Sequence, residues 1–257
     1  MIKLIAVTNQ KGGVGKTTTS INLGDTFAKQ GKKTLIIDLD PQGNASYVLS
    51  GGETRFNVSV AELFSNAKST NINDVVQPAV HDGVAIDNLF MIPADIYLSR
   101  VIEQSISMFH REKILSKHLK NLDASFDIVI LDCPPNLNLT TTNALLAADL
   151  FLVPIDGGSF SANGLADLLD ALEEIRESDQ INYRIFRNEF DVRNSLINDW
   201  LDGELASVDN NLLRAKIRKV EAIGQASVEV KTLYSYKKGC IAINDYRSLA
   251  KEVLQYL

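Results

Sequence analysis

Lys11-Gly12-Gly13-Val14-Gly15-Lys16-Thr17-Thr18 stands between an apolar run, Leu4-Ile5-Ala6-Val7, and a helix-forming stretch, 19–30, that Gly31 stops. A buried strand, a glycine-rich turn and a helix, in that order, make a phosphate-binding loop. The glycines let the backbone bend so that consecutive N–H groups face inward, and the helix start adds partial positive charge. Lys16 would reach the β- and γ-phosphates of a nucleotide, and the Thr17 hydroxyl would ligate Mg²⁺. Gly12, Gly13, Val14, Gly15, Lys16, Thr17 and Thr18 are therefore the expected nucleotide contacts. The usual loop carries a glycine five positions before its last glycine. Here Gln10 takes that place, and an additional lysine, Lys11, opens the loop.

Working outward, 33–37 is a second β-rich run that ends in Asp38-Leu39-Asp40-Pro41-Gln42-Gly43-Asn44. Proline and glycine break the strand there, so both aspartates fall at its C-terminal end, where open α/β sheets bind ligands. A short amphipathic segment lies near 60–64, and 88–93 reads as a third strand. The stretch 98–122 reads as one or two helices, with His110 and His118 as surface or helix-face histidines rather than metal ligands. Residues 127–132 form a central strand, nearly unbroken apolar and closed by Asp132, which Cys133-Pro134-Pro135 ends sharply. Then come a strand at 150–154, a loop at 156–159, a helix at 163–177, a strand at 182–186 and a helix at 196–205. A final helix face is carried by Tyr246, Leu249, Val253 and Leu254. Strands alternating with helices predict an α/β fold of the P-loop NTPase type: a mostly parallel twisted sheet with helices on both faces. With no internal repeat or long linker, 1–257 is expected to be a single domain.

The chain has 257 residues, 45% of them hydrophobic, enough for a sizeable core. Its net charge of −6 means that any nucleic-acid contact must come from a local patch. Cys133 and Cys240 suit neither a disulfide framework nor a CxxC metal site, and are expected to be reduced thiols of a cytoplasmic protein. No run approaches the length of a membrane span. The first strand starts near Lys3, so neither a signal peptide nor a separate DNA-reading domain is expected before the loop.

Hydrolysis needs more than a phosphate cradle. Asp132, an apolar strand's terminal carboxylate, is placed to hold Mg²⁺ in the Walker B manner. Asp38 and Asp40 are candidates for orienting the attacking water on a loop that can follow the γ-phosphate. One of the two would cap the turn. Asp40 is the expected catalytic member, with Asp38 a further metal-side carboxylate. Such a group aligns the nucleophile more than it deprotonates it.

With Lys16 already serving the cradle, Lys11 needs another explanation. At this point the sequence resembles the ParA/MinD family of deviant Walker A ATPases, and its ParA/Soj branch in particular. The resemblance rests on the signature loop at 11–18 and the DxDPQGN segment at 38–44. Looser likeness continues at 130–135, at 154–164, at Asp191 with Arg193, and at 217–246. It implies an ATP-sandwich homodimer in which Lys11 reaches the nucleotide of the second subunit, supplying in trans the charge of an arginine finger. It further implies ATP and Mg²⁺ as cofactors, a dimer that holds nonspecific double-stranded DNA, and a ParB-like adaptor that stimulates hydrolysis and release. The protein would sit on the nucleoid in its ATP state. Asp156 departs from the pattern, standing where the family commonly has glutamine, and 187–189 is also unusual.

Arg214, Lys216, Arg218 and Lys219 cluster in this acidic chain, with Lys231, Lys237 and Lys238 nearby in sequence. They are the candidate DNA surface, sequence-blind and salt-dependent. A solvated helix face is the alternative reading of that charge run. A MinD-like membrane ATPase would carry a basic amphipathic tail, which this chain lacks. A metabolic P-loop ligase or kinase would want a dedicated pocket, for which 156–161 is the candidate. A slow nucleotide switch is the remaining alternative, and Asp40 speaks against it.

Overall fold

The computed structural model describes residues 1–105, 108–158, 161–176 and 181–257. Eight strands form one sheet: β1 (Lys3–Val7), β2 (Thr34–Asp38), β3 (Gln77–His81), β4 (Val84–Ile92), β5 (Ile128–Asp132), β6 (Leu150–Ile155), β7 (Tyr183–Phe190) and β8 (Leu212–Arg218). Their spatial order is β3-β4-β2-β5-β1-β6-β7-β8. Every neighbouring pair is parallel except β3 with β4. The expected mostly parallel sheet is what the chain forms.

The apolar runs explain the layering. Side chains alternate across a strand, so a strand buried on both faces must be apolar throughout. In β5, Ile128 and Ile130 join one core while Val129 and Leu131 join the other. The first of these cores is covered by α1 (Lys16–Lys29), α2 (Asn44–Leu49), α9 (Glu221–Val228), α10 (Leu233–Tyr236) and α11 (Ile241–Val253). The second is covered by α3 (Val60–Ser65), α4 (Tyr97–Gln104), α5 (Ile114–Leu119), α6 (Leu139–Ala147), α7 (Ser161–Arg176) and α8 (Ser195–Glu204). Helices thus lie on both faces, as expected.

Several local expectations are corrected. α1 begins at Lys16, not Thr19, which puts Lys16, Thr17 and Thr18 in its first turn. His118 is 5% exposed, its Nε2 lying 3.0 Å from the Leu63 carbonyl, so it is a buried link between α5 and α3 rather than a surface group. Burial lowers its pKa. Strands β3 and β8 were not anticipated. The β3–β4 turn carries Asp82 and Gly83 at φ 48° and 77°, the two left-handed positions of a tight hairpin. The run containing Arg214, Lys216 and Arg218 is this edge strand β8, not a helix face; the basic residues alternate with buried Leu213, Ala215 and Ile217. Ser159 and Glu177, the ends of an expected loop and an expected helix, lie outside the described residues. No helix among the described residues is long and apolar enough to cross a membrane.

Register fixes the site. Val7 and Asp38 both sit level with Asp132, on the strands flanking β5. The loop that leaves β1 therefore runs directly past two strand-terminal carboxylates.

Candidate nucleotide site

The loop after β1 turns through Gly13 and Gly15 at φ 79° and 86°, backbone that L side chains avoid. At Gly12 and Gly13 a Cβ would meet open space; at Gly15 it would come within 2.2 Å of Asn188 Nδ2. That asparagine, buried on β7, donates to the Val14 carbonyl at 2.7 Å and braces the loop from outside. Gly15 caps α1 without a side-chain acceptor, and the first turn contains no acidic residue. The first-turn N–H groups are thus left for an anion, with the helix dipole behind them. Gly15→Ala is expected to weaken MgATP binding at least about tenfold by calorimetry, because strain and collision act together; unchanged affinity would refute this account of the loop.

The two lysines of the loop are used differently. Lys16 is 7% exposed and its Nζ donates to the Lys11 carbonyl at 2.9 Å, across the mouth of the loop. Burial lowers its pKa, against the pull of Asp132, Cys133 and Asp40. Lys11 points elsewhere. Its Nζ donates to both oxygens of Asp156, at 2.7 and 2.9 Å, at the edge of the loop.

Asp132 is fully buried. Its Oδ1 accepts the Ser20 hydroxyl at 2.8 Å, while Oδ2 is buried without a hydrogen-bond partner. Burial, with Asp38 nearby, pushes its carboxyl up to about 8; Ser20 and, less strongly, the neighbouring Thr17 hydroxyl oppose this. A buried carboxylate oxygen with no donor, beside a threonine hydroxyl, is what a Mg²⁺ ion or its bound water would satisfy. No cluster of three or more histidine, cysteine or acidic side chains with metal-holding geometry exists among the described residues.

Asp38 is spent on structure. Its Oδ2 accepts the backbone N–H and hydroxyl of Ser46 at 2.9 and 2.7 Å, and Oδ1 accepts the Asp40 N–H at 3.1 Å. Both aspartates brace the turn after β2, Asp38 with more of its hydrogen-bonding capacity, and Asp132, with Oδ2 unpartnered, fits the metal role better than Asp38. Burial still pushes its carboxyl up to about 6. Asp40 is half-buried and accepts the Gln42 N–H at 2.9 Å, which leaves it capacity to hold a water. The loop it sits on closes at Gly43, where φ is 63° and a Cβ would press within 2.7 Å of the Ala94 carbonyl.

Beside the loop opens a cavity of about 460 Å³ lined by Gly15, Thr18, Asn188, Val220, Ile223 and Tyr246, among others. Its size and mixed lining suit a nucleoside. Asn188 and Tyr246 are contributions that sequence reasoning missed; they lie 173 and 231 residues from the loop's Gly15 in the chain (188−15 and 246−15). The signals were the polar pair Arg187-Asn188 following Ile185-Phe186 within β7, and the family likeness at 217–246, which ends on the tyrosine.

The AAA-domain family model matches residues 2–185. The chain is 32% identical to the chromosome-partitioning ATPase Soj of Treponema pallidum, the match covering 99% of this chain and 98% of that one. It is 34% identical to the chromosome partitioning protein ParA of Caulobacter vibrioides, over 98% and 94%. The chain belongs to the ParA/Soj family of P-loop ATPases. Its fold is also similar to that of cobyrinic acid a,c-diamide synthase from Mycobacterium smegmatis, solved with ADP and magnesium (TM-score 0.83, 26% identity, 100% and 95% covered). ATP and Mg²⁺ are the cofactors of this ATPase.

The basic residues anticipated as one surface divide in this ATPase. Arg218 is held by Asp245, with contacts of 2.5–3.1 Å, and Lys219 lies 3.3 Å from Glu189. Arg193 is paired with Asp191, whose carboxyl it holds at about 2. Lys216 sits 4.6 Å from the Phe190 ring centre, and Arg214 is exposed. Lys237 and Lys238 are exposed beyond α10, away from β8 in the chain.

Proposed function

We propose that this ATPase is an ATP-gated partition switch: a sandwich homodimer that holds nonspecific duplex DNA until hydrolysis, stimulated by a ParB-like adaptor, releases it. The observation that carries the reading is the division of labour between the lysines. Lys16 occupies the interior of its own loop, whereas Lys11 stands at the loop's edge, 2.7 Å from Asp156. That position supports a role for Lys11 toward a nucleotide other than its own subunit's. In the dimer Lys11 would stabilise the charge developing on the other subunit's phosphates. Lys16 and the first-turn N–H groups of α1 would bind the phosphates. Thr17 and Asp132 would face the Mg²⁺, which supplies charge neutralisation when bound, and Asp40 would align the attacking water.

The DNA contact is assigned to the β8 edge, where Arg214 is exposed and Lys216 lies against an aromatic ring rather than a carboxylate. Arg218 and Lys219 would first have to leave Asp245 and Glu189. Binding to random-sequence duplex is expected with ATP and not with ADP, and to fall steeply with salt. Arg214→Gln with Lys216→Gln should make the log–log salt slope shallower by about 2, near 0.9 per lost phosphate contact. Equal binding in all nucleotide states would sink the gated-dimer reading.

The fold likeness to a synthase supports one rival, a small-molecule ligase. Turnover that requires a metabolite, and ignores DNA and adaptor, would favour it. Membrane anchoring by the C-terminal helix is opposed by its packing: Tyr246, Leu249 and Val253 of α11 are spent in the core.

A further inference from the structure

Two exposed apolar patches lie among the helices that cover the second core, and their flanking charges are opposite. The first borders a cavity of about 400 Å³ lined in part by Asn66, Lys68, Met108, Phe109, Ile114 and Lys117. It lies between the end of α3 and the start of α5. Phe109 is 96% exposed, and Met108 beside it is exposed as well. An aromatic ring held this fully in water, next to a second apolar side chain, marks a contact surface. Around it, 108–121 carries Arg111, Lys113, Lys117 and Lys120 against a single acid, Glu112.

The second patch is on α8. Leu196 and Trp200 stand four residues apart and share one face of the helix, with Val192 just before it. Val192 and Leu196 are 77% and 82% exposed, and Trp200, the chain's one tryptophan, is exposed too. Here the flanking charge is negative: 191–211 carries Asp191, Asp199, Asp202, Glu204 and Asp209 against Arg193 alone. Among the described residues, Lys68, Lys113, Lys117, Asp199, Glu204 and Asp209 enter no ion pair.

Topology keeps the patches apart. The start of α3 is tied to the Pro93 carbonyl, just beyond β4, whereas the helical turn after α8 packs on β7 and β8. At about 4.8 Å per strand, roughly 20 Å of sheet separates them. One molecule cannot close its own two patches on each other.

We propose that the patches are the two halves of a head-to-tail contact between copies of this chain, separate from the ATP sandwich. Met108 and Phe109 of one copy cover Leu196 and Trp200 of the next, while Lys113 and Lys117 face Asp199 and Glu204. Complementarity selects the occupant. The first patch fits a surface that is apolar at its centre and acidic at its rim, and every copy presents one on α8. Because the halves differ, the contact is heterologous, leaves one half free at each end, and can continue past two copies. It needs neither DNA nor adaptor, so it stands or falls apart from the switch reading above.

Sedimentation velocity in MgADP, with Trp200 emission followed in parallel, is the test. The wild type should sediment faster, and its emission move to shorter wavelength, as protein rises through roughly 1–100 µM, the weak end of specific association. Phe109→Ser with Lys117→Glu removes one half of the contact, and Leu196→Ser with Asp199→Lys removes the other. Each double variant alone should stay monomeric, with melting temperature and basal ATP hydrolysis unchanged, because all four side chains are exposed. Mixed in equal amounts, the two should form a one-to-one pair and nothing larger, since each supplies the half that the other lacks. A wild type that stays monomeric over that range overturns the contact. So does a mixture that fails to pair, or a variant that still assembles alone. If the α8 variant weakens only the MgATP dimer, the stripe belongs to the sandwich and the lateral contact is likewise overturned.

Discussion

Asp132→Asn is expected to yield a nucleotide-free protein more stable than wild type at pH 8, yet at least about 100-fold slower in ATP hydrolysis. The stability gain follows from burial. The Asp132 carboxyl titrates near 8 in the folded chain, against 3.8 for an ordinary aspartate. Between those values the folded state binds the extra proton, so stability falls as pH rises. Asp38 acts in the same direction over a narrower window, up to about 6. Stability is therefore fullest near pH 4 and is lost progressively towards pH 8. Asparagine carries no charge to bury, so the variant should lose most of that decline, a difference on the order of 1–3 kcal/mol and several degrees in Tm at pH 8. Thermal unfolding at pH 5 and pH 8, without nucleotide, measures it directly. A wild-type Tm that rises over that interval as much as the variant's would show that Asp132 is not held neutral by its surroundings. MgATP should rescue the wild type more than the variant, because a cation beside Oδ2 favours the charged carboxylate.

The second large effect is at Lys11. Lys11→Ala should leave nucleotide binding through Lys16 largely intact while lowering stimulated hydrolysis at least about 1000-fold, the scale of a finger-type charge delivered in trans. Asp156→Asn should act in the opposite direction. The Lys11–Asp156 pair, with side chains 27% and 21% exposed, holds the lysine on its own subunit and, in the proposed dimer, would have to open before Lys11 could cross. Its loss is worth about 1 kcal/mol in this half-screened setting, so the ATP-dependent dimer should form at a several-fold lower protein concentration. Sedimentation of the two single variants and the double variant separates the cases. The double variant should match Lys11→Ala; weaker dimerisation of Asp156→Asn would mean that the carboxylate supports the dimer instead of restraining it.

Much of the architecture was legible because it is written in local pattern. A loop built from glycines and lysines between an apolar run and a helix former has few alternative backbones, and 127–132 could only be a strand buried on both faces. The edge strands were harder. β3 contains Pro78 and ends in His81, and β8 alternates arginine and lysine with Leu213, Ala215 and Ile217; both look polar because one side meets solvent. Their signals were present all the same, in Asp82-Gly83 and in the two-residue alternation.

By itself, then, the sequence determined the nucleotide loop, the strand-terminal aspartates, the parallel sheet and the cofactors they imply, since each depends on residues within a few positions of one another. Tertiary structure alone decided what the polar side chains do. Lys11 meets Asp156 across 145 residues, Asn188 braces Val14 across 174, and Arg218 is claimed by Asp245 across 27. The physical reason is range. Backbone conformation and burial respond to near neighbours in the chain, whereas a charge responds to whatever group the topology carries within a few ångströms of it.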